Sequence, residues 1–394
     1  MPSFFHPTAV LPVVLSFAAA VQGIVESPRT LNLPETPYNY TLIDWPKHFL
    51  EPIPRFDNTP SENQLTDEGA TLGRVLFYDK TLSKSGTVSC ASCHKQSLAF
   101  TDDAKLSVGH TGDLVARNSM SLVNSRFYQR GRFFWDERAR TLEQQVLMPI
   151  EDPIEMGHTM EGLVKQLNND PLYPPLVEAA FEDSKISQER IASALAQFVR
   201  SIVSYRSKYD WGRAQVQGVE DPFPNFTDQE NEGKAIFLGR GRCASCHMSN
   251  GIPPDRVKGV LPQRQSAFFY MVTPVANGID SDVPQADPGV GGVNGVDLDQ
   301  GRFKSPSLRN IEVTGPYMHD GRFKTLYQVI EHYNWSVRPH PNLGGQLEDV
   351  AANGMGLPTP QKDALEAFLM TLTDQHLLRD PKYADPFVSP ASSK

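Results

Sequence analysis

The chain has 394 residues, 39% of them hydrophobic, and a formal net charge of −9 at pH 7. That length allows two or three domains, each able to bury a core, and the acidic balance argues against nucleic acid or an anionic membrane surface as partner. A basic redox partner is compatible with it.

The N-terminus reads as an export signal. Residues 9–21 form an apolar run ending in Ala18-Ala19-Ala20, with Gly23 just beyond as a small-residue cleavage context. The run is too short to span a membrane, although residues 1–8 lack the Lys or Arg usual at such a terminus. Residues 1–23 are therefore expected to be a signal peptide, and the mature protein to be exported, periplasmic or secreted, with no membrane span. Residues 24–60 are Pro-rich and predict an extended arm wrapping the first domain. Asn39, Asn225 and Asn334 stand in Asn-x-Ser/Thr triplets, which matter only in a glycosylating host.

Cys90-Ala91-Ser92-Cys93-His94 recurs as Cys243-Ala244-Ser245-Cys246-His247, and the two copies use all 4 cysteines. Cys-x-x-Cys-His is the attachment signature of c-type haem: two thioethers to the vinyl groups and a histidine on the iron. A structural zinc site would need four ligands where each copy offers three. A thioredoxin-like motif would need a βαβ setting and no paired histidine. Four cysteines do not make a disulfide framework in a chain of this length. Two covalently bound haem c groups are expected, and covalent attachment agrees with export.

The chain also repeats itself. Leu65-Thr66-Asp67-Glu68 leads into Gly73-Arg74-Val75-Leu76-Phe77 before the first motif. Phe226-Thr227-Asp228-Gln229 leads into Gly233-Lys234-Ala235-Ile236-Phe237 before the second. The Thr-Asp start suits a helix N-cap, and the apolar spacing suits a helix packed on haem. After each motif Ser121-Leu122-Val123-Asn124 parallels Ser307-Leu308-Arg309-Asn310, and the stretch from Asp136 parallels that from Asp320. Closing helices are predicted over about 187–203 and from an N-cap and first turn at Thr359-Pro360 to about 372. The fold class is mostly α: two tandem cytochrome c-like haem domains with long loops, over 61–218 and 226–380. Residues 219–225 read as the linker and residues 273–301 as a long surface loop.

Asp136 and Asp320 differ by 320 − 136 = 184 positions. At that offset Trp135 matches His319, and Pro149 matches Tyr333. If this last position faces iron, Tyr333 can cap haem 2 whereas Pro149 has nothing to offer haem 1. One closed and one open haem suits an enzyme better than an electron carrier.

These ordered motifs resemble the bacterial di-haem cytochrome c peroxidase and MauG superfamily from about residue 57 onward. The carriers include Leu72-Gly73-Arg74-Val75-Leu76-Phe77-Tyr78-Asp79, Phe133-Phe134-Trp135-Asp136-Glu137-Arg138-Ala139, Pro153-Ile154-Glu155-Met156 and Pro316-Tyr317-Met318-His319-Asp320-Gly321-Arg322. The resemblance implies His94 and His247 as proximal ligands, haem 1 as the peroxide-reacting centre and haem 2 as the electron-transfer centre. It implies Trp135 as an electron conduit, which would otherwise be read as a core aromatic. Gln145 and Glu155 match the distal pocket of haem 1, with Glu155 moving a proton between peroxide oxygens; on its own Glu155 reads as a solvated carboxylate. Asn118, with the carbonyls of Thr314 and Pro316, matches a Ca²⁺ site. His110 matches a histidine that can cap haem 1, and is otherwise a solvent-exposed loop residue. Tyr333 stands where family peroxidases carry methionine, as in the MauG-like branch, with Met318 as rival. The tryptophan that MauG uses on its protein substrate is replaced here by Gly241.

The leading expectation is a cytochrome-c-peroxidase-type oxidoreductase that reduces hydrogen peroxide with electrons from a small donor protein, a cytochrome c or cupredoxin. The alternatives are MauG-like oxidation of a partner protein and a plain di-haem electron carrier. The oligomeric state, a homodimer included, is open.

Overall fold

The computed structural model describes residues 29–248, 266–270, 273–281 and 286–388. The expected signal peptide lies outside the described residues. Those described are mostly helical, with isolated β-bridges and no strand among them, and none of their helices is long and apolar enough to cross a membrane.

The repeat is visible as geometry. In the first half the Asp67–Tyr78 helix packs on the Gln188–Ser201 helix; in the second, Asp228–Leu238 packs on Thr359–Met370. Each leading helix starts where the cap residue dictates. The Thr66 hydroxyl accepts from the Gly69 amide at 3.0 Å. Thr227 accepts from the Glu230 amide at 3.2 Å, and the Glu230 carboxylate accepts from the Thr227 amide at 2.7 Å, a reciprocal pair that satisfies two orphan donors. The closing helix of the first half begins at Gln188 with Ser187 as cap, as expected. That of the second begins one residue early: Pro358 takes the cap position, without a side-chain bond, and Thr359 is already helical. It ends at Met370 rather than at about 372.

Close approach within each helix pair requires glycine. A Cβ on Gly73 would collide with the Ala194 carbonyl, and one on Gly233 with the Ala364 carbonyl. Beside each glycine contact lies the same aromatic triad. Phe77 stands 5.1 Å from Phe198 and 6.0 Å from Phe100; Phe237 stands 5.1 Å from Phe368 and 6.0 Å from Phe269. Phe100 and Phe269 both take positive φ (58° and 54°), as do Asn124 and Asn310 (59° and 62°). Asparagine tolerates this region, whereas phenylalanine held there marks a constrained turn.

Two expectations are revised. The arm does not wrap the first half alone: its Phe49 and Phe56 rings contact Phe268, which itself stacks on Phe127 at 4.4 Å, so arm and both halves share a third apolar cluster. The stretch 273–301 is not simply a surface loop. Ala276 and Ile279 are buried, and Val290–Asn294 forms a short helix. The segment 219–225 packs against the second half through the Lys234 ammonium, which donates to the carbonyls of Val219 and Asp221 at 2.6 Å each. Of the three glycosylation triplets, Asn334 is fully buried, its amide bonded to the Leu357 backbone at 2.8 and 3.1 Å.

Candidate functional site

Each Cys-x-x-Cys-His segment opens into a cavity. The first, about 70 Å³, is lined by Cys90, Cys93 and His94, with Gln145, Pro149 and Glu155 among its other walls. The second, about 210 Å³, is lined by Cys243, Cys246 and His247, with Asn277, Met318 and Tyr333, and runs on to Trp135, Asn118, Thr314 and Pro316.

The two histidines could serve as metal ligands. His94 places Nδ1 2.8 Å from the Phe100 carbonyl. Donation there leaves Nε2 with its lone pair free, the usual arrangement behind a ligating imidazole. Burial pushes the His94 pKa down and that of His247 to about 4, so both rings are neutral, as ligation requires. The buried His247 Nδ1 has no hydrogen-bond partner among the described residues. The Phe269 backbone nonetheless acts on the His247 ring as the Phe100 backbone acts on His94. In each segment both thiols share the cavity with the histidine and no cysteine is paired as a disulfide. Covalent haem fits this donor set; a group of three or more His, Cys, Asp or Glu able to hold a bare metal ion does not occur among the described residues.

Gln145 and Pro149 reach the first cavity from the Leu142–Glu151 helix, and Glu155 from the turn after it. The Glu155 amide is held by Asp152 Oδ1 at 3.0 Å. Burial, reinforced by the Asp152 charge, pushes the Glu155 pKa above the ordinary carboxylate value, against the pull of Arg138. His110 is not brought into this cavity. Its Nε2 lies 3.0 Å from the Pro153 carbonyl, and neighbouring Gly109 forms the wall instead.

Tyr333 sits where the second-half helix widens into a π turn over His332–Ser336, in register with Pro149. Its phenol oxygen accepts from Asn277 Nδ2 at 3.3 Å, and the same amide lies 3.4 Å from Met318 Sδ. The tyrosine oxygen and the methionine sulfur thus share one amide donor at the wall of the second cavity. Burial pushes the Tyr333 pKa up to about 12, only partly offset by Asn277; a metal would have to displace that proton. Asn277 was not singled out from sequence because residues 273–301 have no counterpart in the first half.

Trp135 stands between the halves. Its indole N–H donates to the Asn118 carbonyl at 2.8 Å, its own carbonyl accepts from the Lys304 amide at 2.8 Å, and its ring meets His319 edge-on at 6.5 Å. Trp135 and His319 are repeat partners that touch across the two halves. Asn118 donates its side-chain amide to Ala104 and Lys105 (3.3 and 3.1 Å) and lines the second cavity together with Thr314 and Pro316.

Comparison with known proteins agrees with this geometry. The family described as di-haem cytochrome c peroxidase matches residues 67–217. A methylamine utilization protein MauG from Methylophilus methylotrophus is 32% identical over 317 residues, 79% of this chain and 84% of the relative. The chain belongs to the di-haem cytochrome c peroxidase and MauG family. A cytochrome c551 peroxidase from Nitrosomonas europaea is 35% identical over 283 residues, 71% of this chain and 76% of that one. A solved structure of a MauG-like protein associated with microbial copper homeostasis superposes with a TM-score of 0.71 at 32% identity, covering 89% of this chain and 99% of the other. Family membership accounts for the paired motifs and the mostly helical fold.

Proposed function

We propose that the protein is a di-haem c-type peroxidase catalysing H₂O₂ + 2 e⁻ + 2 H⁺ → 2 H₂O, with single electrons delivered by a small cytochrome c or cupredoxin. The observation that carries the reading is the inequality of the two cavities. The first presents the Glu155 carboxyl and Gln145 amide beside Pro149; the second presents Tyr333 and Met318 at the equivalent place. A site for chemistry and a site for storage need that difference, whereas a carrier has no use for a buried carboxyl of raised pKa.

In this reading residues 61–218 would hold haem 1 through Cys90, Cys93 and His94, and residues 226–380 would hold haem 2 through Cys243, Cys246 and His247, with Tyr333 or Met318 as its further candidate ligand. The irons, when bound, supply the redox equivalents and the coordination of peroxide. Glu155 takes the proton from one peroxide oxygen and returns it to the other, which makes water the leaving group. Gln145 orients the oxygens by hydrogen bonding. Trp135 carries electrons between the halves. Ca²⁺ at Asn118, Thr314 and Pro316 would be held by neutral oxygens, a hard-cation donor set. Export follows from the need to attach haem outside the cytoplasm.

MauG-like oxidation of a partner protein is the second reading, favoured by Tyr333 and disfavoured by Gly241. The deciding experiment mixes reduced holoprotein with one equivalent of H₂O₂ and follows the haem spectrum. Rapid reoxidation, with steady turnover once a reduced small cytochrome is added, is expected. Two haems inert to peroxide in every redox state would leave only the electron carrier.

A further inference from the structure

The second cavity has a charge imbalance. Among the described residues lining it, Lys304 and Arg242 are the two basic ones and none is Asp or Glu; the Lys304 ammonium meets the lining at Met120. Arg242 is exposed and pairs outward with Asp349 at 2.6 Å. Lys304 has no such escape. It is 4% exposed, and the one hydrogen bond that its ammonium makes among the described residues is to a thioether, Met120 Sδ, at 3.7 Å.

The surroundings of Lys304 are aromatic. Its Nζ lies 4.4 Å from the centroid of Tyr128 and 5.2 Å from that of Phe133. Glu137 is the carboxylate whose charge acts on it, yet Glu137 is already committed to the Tyr128 hydroxyl and to Arg130, with guanidinium contacts of 2.8 to 3.1 Å. Burial drives the Lys304 pKa down to about 8, only partly countered by Glu137. Cation–π contacts recover only a part of what burying an ammonium costs. A buried cation of this kind needs an anion.

We propose that Lys304 is the buried counter-cation for a carboxylate of the group that fills the second cavity, namely a haem propionate, and that it thereby sets the potential of that haem. The inference rests on the two-haem reading above. Lys304 acts here as a positioning residue. Its positive charge neutralises the acid beside the iron, and removing it leaves an uncompensated negative charge that favours the ferric state.

The test uses the full-length holoprotein, with haem content first fixed by the pyridine haemochrome spectrum. A wild-type chain without covalent haem would sink the two-haem reading itself, and this inference with it. Given two haems, redox titration followed optically should show one potential falling in Lys304→Met and in Lys304→Gln. The expected shift is at least tenfold in the ferric-to-ferrous ratio at fixed potential, about 59 mV for one electron. Lys304→Arg should restore most of it. Unchanged potentials in the Met and Gln variants, with both haems attached, would overturn the proposal and assign the ammonium to its aromatic cage. Titrations at increasing acetate distinguish the source of the anion. A potential independent of acetate supports a propionate, whereas one that tracks acetate would mean that a free anion fills the role.

Discussion

At the scale of single residues, Glu155 decides whether the first cavity does chemistry. A proton relay must begin ionised, so peroxide turnover should rise with pH as Glu155 loses its proton. Because burial and Asp152 raise its pKa, that limb should lie above the ordinary carboxylate value of about 4.3. Glu155→Gln should lower the rate by roughly 10²- to 10⁴-fold and flatten the limb, with the haem spectra nearly unchanged. Full activity would remove Glu155 from the mechanism. The same shift has a stability sign. A carboxyl whose folded pKa is raised loses stability for the fold as pH climbs through that value. Glu155→Gln should therefore be at least as stable as wild type at pH 7, and a lower melting temperature would contradict the burial argument.

At the scale of elements, the two helix crossings are built on one plan and should fail alike. Gly73→Ala and Gly233→Ala each place a methyl against a backbone carbonyl that cannot yield, Ala194 in one half and Ala364 in the other. The helices must separate or bend, and a cost of about 1–3 kcal/mol or more is expected in each case. Chemical denaturation should show similar losses; a neutral Gly233→Ala would mean that the second crossing is slack. These crossings, their Thr caps and the 184-residue register were legible in the chain because each motif appears twice. What lacks a second copy was not. Asn277, which holds Tyr333 and approaches Met318, lies in a stretch unique to the second half. Lys304 faces Met120 only once the halves are brought together. His110 has the right position in sequence for an iron ligand, but its ring turns toward the Pro153 carbonyl because the loop backbone is pinned by the carbonyls of Ile154 and Glu155 at 3.0 Å each.

At the scale of the whole molecule, arm, first half and second half meet at one buried ion pair. Arg309, fully buried, grips Asp210 with two bonds of 2.8 Å. Asp210 also takes a 2.9 Å contact from His48 of the arm and accepts from the Ser207 amide at 2.9 Å. Burial alone would raise the Asp210 pKa, but Arg309 and His48 outweigh it and hold the carboxyl well below the ordinary range. Burial likewise depresses the His48 pKa. Both groups bind protons less readily folded than unfolded, so both contribute stability that is present near neutrality and lost on acidification. The loss begins below the ordinary histidine value of about 6.5 and deepens below the ordinary aspartate value of about 3.9. Asp210→Asn strips Arg309 of its counter-charge while keeping the shape, and a loss of about 3–5 kcal/mol is expected. It should also flatten the acid limb of stability, because the group that titrates there is gone. Urea unfolding at pH 7 and pH 3 checks both parts: a mild loss, or a wild-type slope below pH 4, would show that the arm is held by the Phe49, Phe56 and Phe268 cluster and not by this pair.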